Sequence, residues 1–296
     1  MKLRLLITIF VFSLLTTSYL FSQADPLKPG TVKRPFYIGP IAGANITMHD
    51  VNLASFAWDA TCPYFKSGDG MGFYGGLSFE YLIGDARTSI SSVIARLMYN
   101  TMPGSFTEDG DFYPSLMQGD TIPVNSVTEH SLDVTYNLAS LDILYKINPI
   151  PGMGFGIVAG PTIDFAMEKS MIQKYSIIEP NYIQFKTFDD ENPGEPGIQI
   201  TLPDGEQVSI VRYEDTDRTI VVRDGNIAEA IRPEDDDAMS MRFGLKIGAQ
   251  YTISLKGFII VPNVMYNYAI TKLTSKDDWR VNVLQVGVDV RFAITF

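Results

Sequence analysis

The chain carries one cysteine, Cys62, in 296 residues, so no disulfide can form within it. Histidine is almost as scarce, with only His49 and His130. There is no zinc-spaced ligand cluster, no Cys/His nucleophile pair and no glycine-rich phosphate loop. Basic residues are in deficit: 23 Lys+Arg against 34 Asp+Glu give a net charge of −11, the wrong sign for nucleic-acid phosphates. Beyond the first two dozen residues, no apolar run approaches the ~18 residues of a membrane-spanning helix. These absences leave no catalytic, cofactor or metal residue to name. The classes that remain are a soluble β-rich exported domain and a transmembrane β-barrel.

The N-terminus sets the compartment. Lys2 and Arg4 precede an apolar stretch over residues 5–21, and Ser22 and Ala24 stand at the small-residue spacing that signal peptidase reads. A signal peptide over residues 1–24 and a mature part over 25–296 are therefore expected. Cys62 is far from that cleavage point, which excludes a lipoprotein anchor.

The strongest positive signal is alternation with period two. Leu284, Val286, Val288, Val290, Phe292, Ile294 and Phe296 share one face; Gln285, Gly287, Asp289, Arg291, Ala293 and Thr295 share the other. Only a strand places successive side chains on opposite faces. The pattern recurs in segments 241–255, 153–165, 258–270 and 132–147, and more weakly in 36–47, 71–82 and 91–102. That makes eight strands; segment 132–147 changes phase near Ala139, as a β-bulge would make it do.

Runs of about 12 to 16 residues exceed the usual 5 to 6 of globular strands and suit a tilted membrane strand. One face is rich in Phe, Tyr, Leu and Ile, while the other holds Gly, Ala, Thr and charge. A bulky apolar exterior around a small and charged interior fits lipid outside. Short connections (84–87, 148–152, 256–257) alternate with long ones (49–70, 103–130, 168–238, 271–279), the asymmetry of periplasmic turns and outer loops. Tyr81, Tyr145 and Tyr251 fall near one set of strand ends, and Tyr99, Tyr268 and Trp279 near the other, as interfacial aromatics do. The fold expected is thus an all-β, up-and-down antiparallel transmembrane barrel of eight strands, or ten if hairpins of the third long loop join the wall.

Val290, Phe292, Ile294 and Phe296 resemble the C-terminal signature recognised by the barrel-assembly machinery. With the strand–turn rhythm and the N-terminal segment, they make the chain resemble the PorT-like outer-membrane β-barrels, within the OmpA/OmpX type. The resemblance implies the outer membrane of a Gram-negative bacterium as location, with membrane lipid and the assembly machinery as partners. The third long loop is larger than such compact barrels usually carry.

Eight strands enclose a space that side chains nearly fill. On the face assigned inward stand five acids, Glu80, Asp133, Asp142, Asp164 and Asp289, and five bases, Arg96, Lys146, Arg242, Lys246 and Arg291. Buried charges must be paired, so an ion-pair network that plugs the barrel is expected ahead of a narrow ion path gated by the same pairs. A rim enzyme is a third option, resting on His49 and the Glu129-His130-Ser131 run, but neighbours in a strand point to opposite faces. The chain is read as a non-enzyme.

Specificity is assigned to the loop over 168–238. It holds 17 Asp+Glu against 7 Lys+Arg, a local charge of −10. Asp204-Gly205 and Asp224-Gly225 between β-branched runs read as hairpin turns, so a β-rich extension is expected. Glu234-Asp235-Asp236-Asp237 is a solvated acidic run that could meet a divalent cation such as calcium, or another surface ligand.

Overall fold

The computed structural model describes residues 36–54, 64–83, 89–115, 122–150, 153–183, 198–201, 207–212, 219–223, 227–231, 240–255, 257–274 and 278–294. The expected signal peptide, Cys62, the 234–237 acidic run and Phe296 lie outside these residues.

Every element is a strand: β1 Phe36–Ala54, β2 Tyr64–Ile83, β3 Ser91–Ser115, β4 Val124–Ile147, β5 Phe155–Glu179, β6 Ile198–Thr201, β7 Gln207–Arg212, β8 Thr219–Arg223, β9 Ile227–Ile231, β10 Met241–Tyr251, β11 Ile253–Ser254, β12 Ile259–Ala269 and β13 Arg280–Ile294. Among the described residues no helix is long and apolar enough to cross a membrane.

The sheet closes on itself. Its antiparallel ring runs β10-β12-β13-β1-β2-β3-β4-β5 and returns to β10, with Met241 opposite Phe165 and Tyr251 opposite Phe155. Closure removes the unpaired backbone that hydrocarbon cannot satisfy. The wall has eight strands. The loop hairpins stay outside it: β6 to β9 form a separate antiparallel run, joined to the wall where β9 pairs with residues 172–176 of β5. The tight turn between β11 and β12 uses Gly257 at φ +93°, a conformation that favours glycine, and Leu255 N–H donates to Phe258 O across it.

Strands β3, β4 and β5 are 25, 24 and 25 residues long, far beyond the 12 to 16 expected. Much of what reads as loop (residues 49–54, 64–70, 103–115, 124–130 and 168–179) is strand continuing past the membrane. Its polar outward side chains face water and imitate a loop.

The outer surface shows where the membrane part ends. Exposed Leu77 and Phe73 on β2, Leu97 and Tyr99 on β3, Ile143 and Tyr145 on β4, Leu245 on β10, Tyr266 and Tyr268 on β12 and Phe292 on β13 form an apolar girdle. Around β1 the girdle ends at Ile46, Met71 and Leu284, with Met48 at the boundary. Above it the outward positions are Asp50, Asp69, Asn282 and Arg280. Trp279 does not belong to this girdle, contrary to the sequence expectation. It is fully buried inside the barrel, in the layer above the membrane.

Candidate functional site: the barrel interior

The lower interior is built by wall strands whose inward positions mix glycine, amide, charged and a few apolar side chains. Glycine permits one large group to lie flat there: a Cβ at Gly43 would meet the Tyr74 ring at 2.6 Å, and one at Gly287 would collide with the Tyr74 hydroxyl. Tyr74 therefore stretches from β2 across β1 and β13 to β12, where its hydroxyl donates to Asn263 Oδ1 at 3.4 Å.

Around Tyr74 the charges are linked. Glu80 accepts from Lys146 Nζ at 2.7 Å and Ser92 Oγ at 2.6 Å, and it also meets Arg291. Arg291 reaches on to Asp289, whose Oδ2 lies 3.4 Å from Arg96 Nη2 and whose Oδ1 accepts from Asn263 Nδ2 at 2.8 Å. The result is a five-member chain of alternating sign, Lys146–Glu80–Arg291–Asp289–Arg96. Separately, Lys246 Nζ donates to both oxygens of Asp142, at 2.9 and 2.7 Å. Higher up, Arg242 Nη2 stands 3.2 Å from Asp164 Oδ2, while Ser140 Oγ donates to Asp164 Oδ1 at 2.5 Å. An amide layer spans the same level, with Gln285 Nε2 donating to Asn45 Oδ1 at 2.9 Å and Asn100 Oδ1 at 3.1 Å.

All nine of these charged residues are at most 4% exposed. That number bears on the choice between plug and path, because solvent barely reaches these groups. Two small apolar clusters, Ile94–Leu144–Val158–Met265 and Ile41–Tyr74–Met98, occupy space within the same interior.

Asp133, the tenth residue assigned inward, departs from the set. It faces outward, its side chain 49% exposed, 3.1 Å from Lys174 Nζ and accepting from Ser105 Oγ at 3.0 Å. The reason also corrects the bulge. Along β4 the buried positions are even-numbered from Ser126 to Lys146 without a phase change. What changes is composition: Ser140, Asp142 and Lys146 point inward below, whereas Leu132, Val134, Tyr136 and Leu138 point inward above. The extra residue sits across the ladder, on β5, where Asn137 opposes Glu168 but Leu138 opposes Ala166. Inward positions on β5 run even to Asp164 and odd from Met171. At that bulge β5 also exchanges its partner β10 for β9.

Without Asp133 the buried interior holds four carboxylates and five cations among the described residues. The guanidinium nitrogens Arg96 Nε, Arg242 Nε, Arg242 Nη2 and Arg291 Nε are buried with no hydrogen-bond partner, Arg242 Nη2 being near Asp164 but misaligned.

Above the charged layers an apolar core fills the barrel: Trp279 with Phe65, Met102, Phe106, Leu132, Tyr136, Leu138 and Val283. Trp279 and Phe106 meet edge-on at 5.7 Å. His49 sits in this core above the girdle. Its Nδ1 accepts from Trp279 Nε1 at 3.2 Å, which leaves Nε2 as the protonated nitrogen, donating to Pro103 O at 3.0 Å. Burial, the dominant cause, lowers its pKa to about 4, helped by Arg242 and opposed by the Pro103 bond and Asp69. The ring is neutral and both nitrogens are engaged. His130 is buried on another strand, its ring 4.6 Å from Tyr175, while Glu129 and Ser131 occupy the opposite face of β4. The sequence did not mark this core, because its members are scattered over strands read partly as loops.

Val290, Phe292 and Ile294 lie outward at the end of β13. No group of His, Cys, Asp and Glu able to hold a metal ion occurs among the described residues.

No protein-family profile matches the chain, and no curated protein matches it. Solved structures similar to it include Neisserial surface protein A, at 13% identity over 87% of this chain and 97% of that one, with a TM-score of 0.33. The outer membrane protein OprG from Pseudomonas aeruginosa matches at 10% identity over 88% and 97%, TM-score 0.31. Ail, the attachment invasion locus protein of Yersinia pestis, matches at 10% over 86% and 98%, TM-score 0.27. A likeness this distant carries no argument about family or activity. The closed ring, its apolar girdle and its charged interior identify the chain as a transmembrane β-barrel.

Proposed function

We propose that this chain is a non-enzymatic, non-conducting outer-membrane barrel of PorT-like architecture that displays a β-rich acidic extension for binding, adhesion or envelope integrity. One observation carries the reading. The nine interior charges are paired and at most 4% exposed, and a core of buried apolar side chains stands above them. An ion entering would have to break buried pairs and then cross an apolar layer, each costing on the order of several kcal/mol. The wall therefore serves as a scaffold, and recognition falls to the parts above the membrane.

A second reading has support in the one-cation excess, which would make any leak through the interior anion-selective. Single-channel recording of the full chain in planar bilayers tests both. The expected trace is closed; a large, steady conductance overturns the plug, and an anion-selective flicker altered by Arg242→Ala or Lys246→Ala would favour the narrow path.

A further inference from the structure

The charges of the lower interior do not cancel. The linked chain Lys146–Glu80–Arg291–Asp289–Arg96 contains three cations and two carboxylates. Asp142 stands opposite Arg96 in the β3–β4 register, but both its oxygens accept from Lys246, and Asp164 is matched by Arg242. One positive charge is left over among buried groups. A buried charge without a counter-charge is costly, and a guanidinium does not shed its proton to escape that cost. Lys146, which could, donates instead to Glu80 at 2.7 Å.

The surplus coincides with three donors that the protein does not use. Arg96 Nε, Arg291 Nε and Ser78 Oγ are buried and have no hydrogen-bond partner within the chain. They occupy neighbouring inward positions around the wall. Ser78 on β2 lies directly opposite Arg96 on β3, and on its other side faces Gly39 of β1. Arg291 of β13 comes next, because a Cβ at Gly39 would fall 2.9 Å from Arg291 Cα. Only a residue without a side chain therefore separates Ser78 from Arg291. The two guanidinium groups also converge, since both reach the same oxygen, Asp289 Oδ2. A water molecule there would bring no charge and would need acceptors for its own protons. Unused donors beside surplus positive charge call for an anion.

We propose that the interior binds one small monovalent anion, a chloride or another halide, between Ser78 and the guanidinium groups of Arg96 and Arg291, as a counter-ion built into the plug. Its single charge equals the surplus. A spherical ion accepts from donors arriving from different strands, and its bonds to guanidinium are charge-assisted. Phosphate or sulfate would overshoot a surplus of one and would need more donors than this row supplies. The ion is enclosed as the barrel closes, so it requires no conducting path through the apolar core above.

The test unfolds the full chain from lipid vesicles with urea while chloride replaces gluconate at constant ionic strength. At a fixed urea concentration the folded-to-unfolded ratio on unboiled gels should rise about tenfold for each tenfold rise in chloride above Kd. Bromide should act likewise. Arg96→Gln, which removes the surplus charge, should abolish the response, and Ser78→Ala should move it to higher chloride. A response equally large in Arg96→Gln would be a general salt effect and would overturn the proposal. Equal ratios in chloride, bromide and gluconate would overturn it too. Crystals of the unaltered chain grown in bromide need no variant to fold. Their anomalous scattering should place one buried bromide within hydrogen-bond reach of Ser78 Oγ and both Nε atoms. Bromide confined to the surface, an adventitious ion only, would sink the site.

Discussion

The barrel has two tiers that share strands and differ in what lines and surrounds them. Within the girdle, β4 turns Ile143 and Tyr145 outward and Asp142 and Lys146 inward; a few residues higher it turns Asp133 outward and Leu132 and Val134 inward. The backbone alternates identically in both tiers. Polarity inverts because the solvent inverts: hydrocarbon around the lower tier, water around the upper. The lower tier is held by paired charges around Tyr74 and the upper by an apolar core around Trp279. Period two reports a strand, and the sign of the pattern reports what bathes it.

Four substitutions or conditions would break or sharpen that contrast. Glu80→Gln should be the most damaging, because it leaves Lys146 and Arg291 buried with one shared carboxylate fewer. Loss of about 3–5 kcal/mol is expected, read as a lower urea midpoint for the shift between folded and unfolded bands on unboiled gels. An unchanged midpoint would show that the interior pairs do not hold the lower tier. Next, Leu97→Arg on the lipid face should cost about 2–4 kcal/mol by the same measurement in bilayers, and far less in a chain where water, not lipid, meets β3.

An effect of similar size is expected from acid on the upper tier. His49 is buried neutral, with its pKa lowered to about 4 against 6.5 unfolded. The unfolded state binds the proton more readily, so stability is lost as pH falls from about 6.5 toward 4, by up to ~1.4 kcal/mol per unit. Trp279 fluorescence against pH should show this loosening in the native chain and not in His49→Phe. The smallest effect belongs to Asp133→Ala. Its contact with Lys174 is solvent-exposed, so a change within ~1 kcal/mol is expected. A large loss there would place Asp133 among the interior charges after all.

Much of this was legible beforehand. The last strand alternates almost without interruption, and the structure places Val286, Val288 and Phe292 outward and Asp289 and Arg291 inward. Hairpin signals at Asp204-Gly205 and Asp224-Gly225 correspond to the β6–β7 and β8–β9 pairs. Reading failed where one rule was applied to two solvents. Taking acid as inward misplaced Asp133, and taking the polarity change along β4 as geometry put a bulge at Ala139 that belongs to β5. Trp279 near a strand end looked interfacial until the ring of strands folded it inside.

What the sequence determined by itself is local: strand or not, which residues share a face, and that one face suits hydrocarbon over part of its length. Those follow from the period of the backbone and the solubility of side chains. Which face points inward at a given height, that Lys146 meets Glu80 and that Trp279 meets His49 were decided by closure of the ring. Closure brings together residues far apart in the chain, such as Glu80 and Arg291, and sets the level at which water replaces lipid.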